Sequence, residues 1–456
     1  MVQLLLLANP FLHIVFLSSM MIDPTIIDYL VSQVPGIPAD HVRKRLHLFH
    51  AADSSPTLTL TEKILARPRL IRRIRKLLDS IGDHGQIHMA CFCVTGAERT
   101  LAVELRVPIY GCDPELLYLG TKSGSRQMFR EAGIGFAPGQ EDLKSGAEVI
   151  EALARLKADN PDLTKAVVKL NEGFSGEGNA VFSYEGCVAS DDQVALVAWV
   201  ADAVQSPAFR PEAKSESWDS FASKMEVMGG IVEAFVGSGG TPGEVVVSSP
   251  SVQIRVAPDG EVIVVSTHEQ ILEGQVYQGC EFPASDAYRT QLIEDGKKVG
   301  RLYSNAGVLG RFAIDFMVTR NDLGEHALYA IEVNLRRGGT SGPFATLHHL
   351  ISGCIQPDGS YLTPQGQPRT YVACDTVQSD AYRGLLPLDL IDLIVEERLI
   401  FDPSRASGVV FHNISGLSQF GKIGVLAIAP DIHAAHQLYD RTLALFDDFA
   451  ADSECL

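Results

Sequence analysis

Three polar side chains on two adjacent predicted strands could hold a metal ion. Asp315 lies eight residues before Leu323, and Glu332 lies eight residues after Gly324. A turn centred on Leu323 and Gly324 would therefore set the two carboxylates opposite each other, about 5 Å apart. Because side chains alternate along a strand, Asn334 shares the face of Glu332. Two acids and an amide oxygen suit magnesium, which binds jointly with substrate phosphates; an ordinary hairpin with a solvated polar face is the alternative.

A lysine followed by a glycine-rich loop could bind phosphate. Lys169 ends an apolar run, and glycines follow at positions 173, 176 and 178. Glycines let backbone N–H groups approach an anion closely, and the lysine adds positive charge. The residue order differs from that of a Walker A loop, in which the lysine follows the glycines. A flexible hairpin with a surface lysine is the alternative.

A second pair of cations lies at the start of a predicted helix. Lys122 and Arg126 are four residues apart just after Gly120, so both side chains fall on one face near a helix N-terminus, which favours phosphate. An ordinary cationic helix is the alternative.

Further along the chain, the extended apolar segment 231–237 could present backbone groups to an adenine edge, and Glu244 could accept hydrogen bonds from ribose hydroxyls; this signal is weak by itself.

Composition and charge exclude several classes of protein. The net charge is −18, with 38 lysines and arginines against 56 acidic residues, whereas a nucleic-acid binder needs a basic surface. No apolar stretch is long enough for a membrane span, and the apolar N-terminus lacks the basic segment of a signal peptide. The eight cysteines are scattered without metal-binding spacing. We therefore expect reduced thiols and a cytoplasmic protein.

The order of elements predicts several domains. At 456 residues the chain is too long for one ordinary core. Its first part alternates helices with strands, including residues 87–94, which predicts a parallel sheet. Strands dominate after residue 230, and the polar stretch 206–223 is expected to be a loose insertion.

The order of these motifs resembles that of the ATP-grasp ligases over residues 119–340. Five segments are similar, more narrowly, to the pheganomycin-type peptide ligases: Cys91-Phe-Cys-Val-Thr, Leu119-Gly-Thr-Lys-Ser-Gly-Ser-Arg, Val168 to Ala180, Ser266 to Leu272 and Asn334-Leu-Arg-Arg-Gly-Gly-Thr. The resemblance implies an α/β and α+β multidomain fold. It would contain a parallel-sheet pre-ATP-grasp domain (1–118), an ATP-grasp core of two α+β subdomains (119–350, with the lid at about 160–232) and a family-specific C-terminal α/β domain (351–456).

The resemblance also implies a role for each motif residue. Lys122, Arg126 and Lys169 match phosphate contacts, Glu233 to Val236 match the adenine hinge, and Glu244 matches the ribose carboxylate. Asp315, Glu332 and Asn334 match ligands of Mg²⁺. The nucleotide-binding residues are then Lys122, Arg126, Lys169, Glu172, Gly173, Ser175, Gly176, Gly178, Asn179, Glu233, Ala234, Phe235, Val236 and Glu244.

The implied activity is an ATP-dependent ligation of a carboxylate to an amine through an acyl phosphate, with small-molecule or peptide substrates. The cofactors would be ATP and Mg²⁺, and neither nucleic acid nor membrane is an expected partner; a homo-oligomer stays open. One alternative is an ATP-grasp phosphotransferase or another enzyme that forms an acyl phosphate. Another is a catalytically silent nucleotide-binding protein, although such a protein would not need all four of Lys169, Asp315, Glu332 and Asn334.

Four further residues are candidates for contacting the substrates. Arginine suits bidentate recognition of a carboxylate, so Arg255, Arg311 and Arg336 could bind the substrate carboxylate and the tetrahedral oxyanion. A salt bridge at the end of a strand is the alternative for each. His268 shares a strand face with Gln270 and could receive the proton of the amine, with a buried core histidine as an equal alternative.

Overall fold

A computed structural model gives the architecture of the chain. It describes residues 2–82, 84–173, 178–187, 192–213, 215–238, 245–274 and 276–454. Two compact units are present. Unit 1 comprises Met1–Pro114, Gln278–Pro283 and Arg337–Leu456, and unit 2 comprises Glu115–Tyr277 and Ala284–Arg336. The division into three domains stays a prediction. Among the described helices, none has the length and hydropathy needed to cross a membrane.

The N-terminal part of unit 1 contains a parallel strand pair. Strands β1 and β2 pair from Ile14↔Leu46 to Ser18↔His50. Residues 87–94 form no full strand, because only Met89 makes a parallel bridge, to Ile109. The elements are β1 (Ile14–Ser18), α1 (Pro24–Ser32), α2 (Ala39–Arg43), β2 (Leu46–His50), α3 (Leu60–Leu65), α4 (Pro68–Ile81) and α5 (Gly96–Leu105).

Unit 2 begins with a five-stranded sheet in the order β3-β7-β4-β5-β6. Helices pack on the face that carries Val168 and Val232, and Trp218, Phe221 and Met225 join this core. The elements are α6 (Lys122–Ala132), β3 (Gly139–Leu143), α7 (Gly146–Asp159), β4 (Lys165–Leu170), β5 (Asn179–Ser183), α8 (Gln193–Ala203), β6 (Phe209–Pro211), α9 (Trp218–Met228) and β7 (Gly230–Ala234).

The expectation of a loose insertion at residues 206–223 is wrong. Strand β6 pairs with β5 in the register Phe182↔Phe209. The Phe209 ring packs edge-on against Trp218 at 5.0 Å and against Phe221 at 5.4 Å between ring centroids. These three aromatic side chains bury enough apolar surface to order a segment whose other residues are mostly polar.

The second sheet of unit 2 has the order β13-β12-β9-β10, and β8 also pairs with β12. One face carries Val252 and Ile254, which are fully buried. Helix α10 packs closely on this face, because a Cβ at Gly296 would lie 3.1 Å from both side chains. The elements are β8 (Val245–Ser248), β9 (Pro250–Val256), β10 (Val262–Glu273), β11 (Val276–Phe282), α10 (Arg289–Asn305), β12 (Gly310–Arg320) and β13 (His326–Asn334).

The remainder of unit 1 is built on a sheet of β11, β16, β18 and β17, to which β11 contributes residues 278–282. A hydrophobic core of α1, α12, α14 and this sheet includes Phe411, Val425 and Phe446. The elements are α11 (Ser341–Ile351), β14 (Cys354–Ile355), β15 (Tyr361–Leu362), β16 (Thr370–Gln378), α12 (Pro387–Glu396), β17 (Gly408–His412), α13 (Leu417–Phe420), β18 (Lys422–Ala429) and α14 (Ile432–Glu454).

We expect Gly300→Leu to destabilise unit 2, because a Cβ at Gly300 would lie 2.5 Å from Cγ1 of Val262. Forcing a side chain into a packed core lowers the free energy of unfolding by about 1–3 kcal/mol. Gly96→Leu is the control, since nothing lies within 4 Å of a Cβ at Gly96. Thermal unfolding would measure both; equal midpoints for the two variants would contradict the close packing of α10.

Candidate active site

The two candidate metal-binding carboxylates lie opposite each other on paired strands. Strands β12 and β13 are antiparallel, with Asp315 paired to Glu332 and Phe316 to Ala330. The shift leaves Ile331 as an extra residue on β13, which is a β-bulge. Counting along both strands from the pair Arg320↔His326, a regular hairpin without a bulge would place Asp315 opposite Ile331. The bulge therefore brings Glu332 into register.

Side-chain amides fix both carboxylates. Asn334 Nδ2 donates to Asp315 Oδ2 at 2.7 Å and to Glu332 Oε1 at 3.2 Å. Gln270 Nε2 donates to Asp315 Oδ1 at 3.0 Å. Gln270, which the sequence indicated only as a neighbour of His268, thus positions a candidate metal ligand. The structure directs the nitrogen of Asn334 to the carboxylates, so a metal contact by its oxygen stays a prediction.

The two carboxylates have opposite pKa shifts. Burial and the charge of Glu332 raise the pKa of Asp315, and the charge of Arg336 opposes this shift. Burial alone would raise the pKa of Glu332, but the charges of Lys122 and Lys169 outweigh it, so this pKa is lowered. Asp315 and Glu332 therefore form a pair whose mutual repulsion a further cation would relieve.

The donor set fits a divalent cation that binds with phosphates. Magnesium keeps several waters and uses one or two carboxylates together with substrate phosphates. Within the described part of the chain, no group of three or more His, Cys, Asp and Glu side chains is placed to hold a metal. Asp315 and Glu332 supply the two hard oxygen groups that such a site requires.

Helix α6 places a lysine beside this pair. Thr121 caps the helix, accepting from the Gly124 N–H at 3.0 Å. The buried Ser125 hydroxyl accepts from the Val333 N–H at 3.0 Å and so ties α6 to β13. As a result, Lys122 Nζ lies 3.3 Å from Glu332 Oε2. This contact puts a positive charge at a helix N-terminus next to the candidate metal ligands.

Arg126 is buried and paired with acidic side chains. It is 1% exposed. Its Nη1 donates to Glu233 Oε2 at 2.8 Å and to the Ala137 carbonyl at 2.9 Å, and its Nε lies 3.3 Å from Glu141 Oε2. Arg126 is therefore paired within the protein, and its predicted phosphate contact stays a prediction. No motif in the sequence indicated Glu141.

Glu233 joins Arg126 to the predicted phosphate lysine. Lys169 Nζ lies 2.6 Å from Glu233 Oε1, and Glu233 is 3% exposed. Lys169 and Glu233 are on the adjacent strands β4 and β7. The carboxylate of Glu233 thus holds Lys169 and Arg126 together, a role different from the adenine contact predicted for the segment Glu233 to Val236.

The glycine-rich loop connects β4 to β5 through a narrow neck. Lys169 pairs with the buried Asn179, and a Cβ at Gly173 would lie 2.9 Å from the Cα of Gly178. Only glycine allows such an approach of two backbones. Glu172 is exposed at the start of the loop. The predicted phosphate-loop residues Ser175 and Gly176 lie outside the described residues.

The predicted hinge lines a cavity of about 450 Å³. Ala234, Phe235 and Val236 form one side of it, and Tyr329 of β13 contributes to the wall. A cavity of this size is in the range of small-molecule sites. Glu244, the predicted ribose carboxylate, lies outside the described residues. The remaining lining residues are Phe136, Ala137, Pro138, Asp159, Asn160, Pro161, Asp162, Leu163 and Gly237.

The predicted arginines Arg255 and Arg311 lie directly opposite each other on β9 and β12. The same register pairs Ser251 with Asp315, so both arginines share the face of the candidate metal ligands. We call this the polar face: its members on the four strands are Ser251, Gln253, Arg255, Ser266, His268, Gln270, Arg311, Ala313, Asp315, Glu332 and Asn334. Arg336 follows β13 by two residues.

His268 is fully buried next to Ser251 on the polar face. Burial lowers the pKa of its imidazole to about 3. The ring is therefore neutral near pH 7, and protonating it would be costly. The structure gives no support to the predicted transfer of the amine proton to His268.

Two serines on the polar face were given no role in the sequence analysis. Ser251 and Ser266 are each 1% exposed, and their hydroxyls have no hydrogen-bond partner among the described residues. Ser251 precedes Arg255 on β9 and Ser266 precedes His268 on β10, each by an even number of residues. Because side chains alternate along a strand, this spacing could have placed both serines on the face of the predicted residues.

Family models match two parts of the chain. The model described as "IQCH-like, ATP-grasp" matches residues 114–196 and 196–347, which together exceed half of the 456 residues. The model described as "PGM1 C-terminal domain" matches residues 389–442.

Individual proteins are also similar to the chain. The L-propargylglycine–L-glutamate ligase of Streptantibioticus cattleyicolor is 27% identical over 438 residues, covering 94% of this chain and 84% of that protein. IQ motif-containing protein H of Danio rerio is 23% identical over 311 residues, covering 62% of this chain and 28% of that protein. The structure of N5-carboxyaminoimidazole ribonucleotide synthetase from Thermus thermophilus aligns with a TM-score of 0.53 at 14% identity, covering 97% and 95% of the two chains. The structural match shows the ATP-grasp fold.

We expect Arg126→Met to destabilise the protein strongly, because it removes one of the two cations that hold the buried Glu233 carboxylate. Breaking a buried ion pair in this way costs about 3–5 kcal/mol. Arg130→Met is the matched control on the same helix: Arg130 contacts Glu141 at 2.5 Å but is 53% exposed, and exposed pairs contribute about 0–1 kcal/mol. Chemical denaturation would measure both variants, and equal losses would contradict the assignment of Arg126 as a buried anchor.

Proposed function

The chain belongs to the IQCH-like ATP-grasp family, and on this basis we propose that it is an ATP-dependent ligase that joins a carboxylate to an amine. ADP and phosphate are the other products. One observation carries the proposal: Asp315 and Glu332 face each other on one sheet face, with Lys122 3.3 Å from Glu332. Such an arrangement suits the binding of Mg²⁺ and nucleotide phosphates together.

In the first step, an oxygen of the substrate carboxylate attacks the γ-phosphorus of ATP, the bond to ADP breaks, and an acyl phosphate forms. When bound, Mg²⁺ neutralises charge on the phosphate oxygens. Asp315 and Glu332 would hold this ion. Lys122 and Lys169 place positive charge around Glu332, whose pKa both lysines lower. Preorganised cations of this kind stabilise the charge that develops on the transferring phosphoryl group.

In the second step, the nitrogen of the amine attacks the acyl carbon, the bond to phosphate breaks, and the nitrogen loses a proton. Water would hydrolyse the acyl phosphate, so the site must exclude solvent during the reaction. The glycine-rich loop after Lys169 is the segment that we assign to cover the nucleotide, because its neck at Gly173 and Gly178 joins it to the strand of Lys169.

The substrates are proposed as a small-molecule or peptide carboxylate and an amine. In support, the relative from Streptantibioticus cattleyicolor is named as a ligase of two amino acids.

Scattered cysteines without metal-binding spacing support the proposal of a cytoplasmic protein. Assembly into a homo-oligomer is a further proposal that size-exclusion chromatography with light scattering would test.

We expect Glu332→Gln to abolish ADP release while leaving the protein folded, because it removes one of the two candidate metal carboxylates. The assay combines pairs of amino acids or short peptides with Mg-ATP and measures ADP together with product mass. Glu325→Gln is the control, since Glu325 is an exposed acid in the turn of the same hairpin. Unchanged turnover of Glu332→Gln would refute the metal assignment, and ADP release that does not require both a carboxylate and an amine would refute the ligase.

We expect Lys169→Met to impair the use of ATP, because the variant keeps the aliphatic stem and loses the charge assigned to phosphate. The loss in kcat/KM for ATP should be on the order of 10²-fold, as for removal of one donor to a transition-state charge. Lys298→Met serves as the control, because Lys298 is 43% exposed and pairs with Asp295 on its own helix, α10. Wild-type nucleotide affinity and rate in Lys169→Met would show that Lys169 does not bind phosphate.

A further inference from the structure

Asn171 begins the connection between β4 and β5, two residues after Lys169. It is half-buried, and its backbone N–H donates to the Gly229 carbonyl at 3.0 Å. Its side-chain nitrogen Nδ2 donates to the Met228 carbonyl at 3.2 Å. A Cβ at Gly229 would lie 3.0 Å from this nitrogen, so the amide packs closely on the turn between α9 and β7. These contacts orient the side chain and leave its oxygen Oδ1 to accept from another element.

The oxygen of Asn171 caps helix α6 from outside the helix. Its Oδ1 accepts from the N–H of Ser123 at 2.9 Å. Ser123 is the second residue of α6, and the N–H groups in the first turn of a helix have no partner within it. Thr121 binds the next N–H, that of Gly124. Asn171, which lies 48 residues from Ser123 along the chain, thus satisfies a second N–H group directly beside Lys122.

The first turn of α6 is fixed to both sheets of unit 2. The hydroxyl of Ser123 is fully buried and accepts from a backbone N–H of β3 at 3.1 Å. Asn171 adds a bond from the end of β4, and Ser125 adds one from β13. Lys122 starts this turn, so the position of its ammonium group beside Glu332 depends on how the two sheets hold the turn.

We propose that Asn171 is a positioning residue that sets the place of Lys122 for phosphate binding. The inference rests on the proposed ligase function, in which Lys122 and Lys169 supply charge to the transferring phosphoryl group. Asn171 follows the strand of Lys169 and binds the helix turn of Lys122, so one side chain links the two lysines. The charges of both lysines act on Glu332. A misplacement of about 1 Å in such a site can cost on the order of 10²-fold in rate.

Binding of nucleotides tests this role without requiring turnover. The ligands are the β,γ-imido analogue of ATP with Mg²⁺, measured by calorimetry, and adenosine, measured by titration followed by NMR. Asn171→Ala removes the bond to Ser123 and should weaken binding of the analogue on the order of 10-fold, as for an impaired contact with a charged group. The affinity for adenosine should stay unchanged, because adenosine has no phosphate for Lys122 to contact. Asn171→Ser, which keeps a polar group but is too short to reach the Ser123 N–H, should behave in the same way.

Asn321→Ala is the matched control in the same unit. The Oδ1 of Asn321 accepts from the N–H groups of Leu323 and Glu325 at 3.0 and 2.9 Å, in the exposed turn between β12 and β13. Loss of these bonds should lower the midpoint of thermal unfolding by about 2–4 °C and leave both affinities unchanged. If Asn171 only stabilised the fold, its variants would match this control, with a lower midpoint and wild-type affinity for the analogue.

Combination with Lys122→Met tests whether Asn171 acts through Lys122. Lys122→Met should itself weaken binding of the analogue, and adding Asn171→Ala should then cost at most about twofold more. The inference would be overturned by losses that multiply in the double variant, by an equal loss for adenosine, or by wild-type affinity for the analogue in either the Asn171 variants or Lys122→Met. Failure of the ligase function gives a different result: the wild-type protein would bind the analogue but release no ADP with any carboxylate and amine.

Discussion

Repulsion between two carboxylates on one sheet face is the constraint on which the site depends. Asp315 and Glu332 are held opposite each other, and burial together with the neighbouring charge raises the pKa of Asp315. The surrounding groups offset this cost: Asn334 donates to both acids, Gln270 donates to Asp315, and Lys122 contacts Glu332. The remaining negative charge is what makes the pair suited to a divalent cation.

A second buried charge network lies among the residues that we predict to bind the nucleotide. Glu233 receives Lys169 at 2.6 Å and Arg126 at 2.8 Å. It lies on β7, directly before the segment that lines the 450 Å³ cavity. One carboxylate therefore sets the position of the candidate phosphate lysine, of helix α6 and of the hinge. A network of this kind is stable only when every member is satisfied.

Local pattern was sufficient to predict the hairpin and the shared face of its acids, because strand periodicity and turn residues act over short distances. The reason for the register was different from the one predicted. The turn is closed by Arg320↔His326, and the extra residue Ile331 then brings Glu332 opposite Asp315. A bulge depends on the pairing partner, so the residue pattern of β13 does not reveal it. The prediction of a loose insertion at residues 206–223 was wrong for a similar reason. The packing of Phe209 on Trp218 orders this segment.

The order of the motifs and the types of chemical group could be read from the residues alone. The resemblance of that order to the ATP-grasp ligases then implied the fold. Tertiary contacts determine which charged side chains pair with each other. Arg126 binds Glu233, which is 107 residues away, and its contact with phosphate stays a prediction. His268, a candidate proton acceptor, is fully buried. Both outcomes depend on desolvation and on contacts between distant segments, and neither quantity can be read from the spacing of residues along the chain.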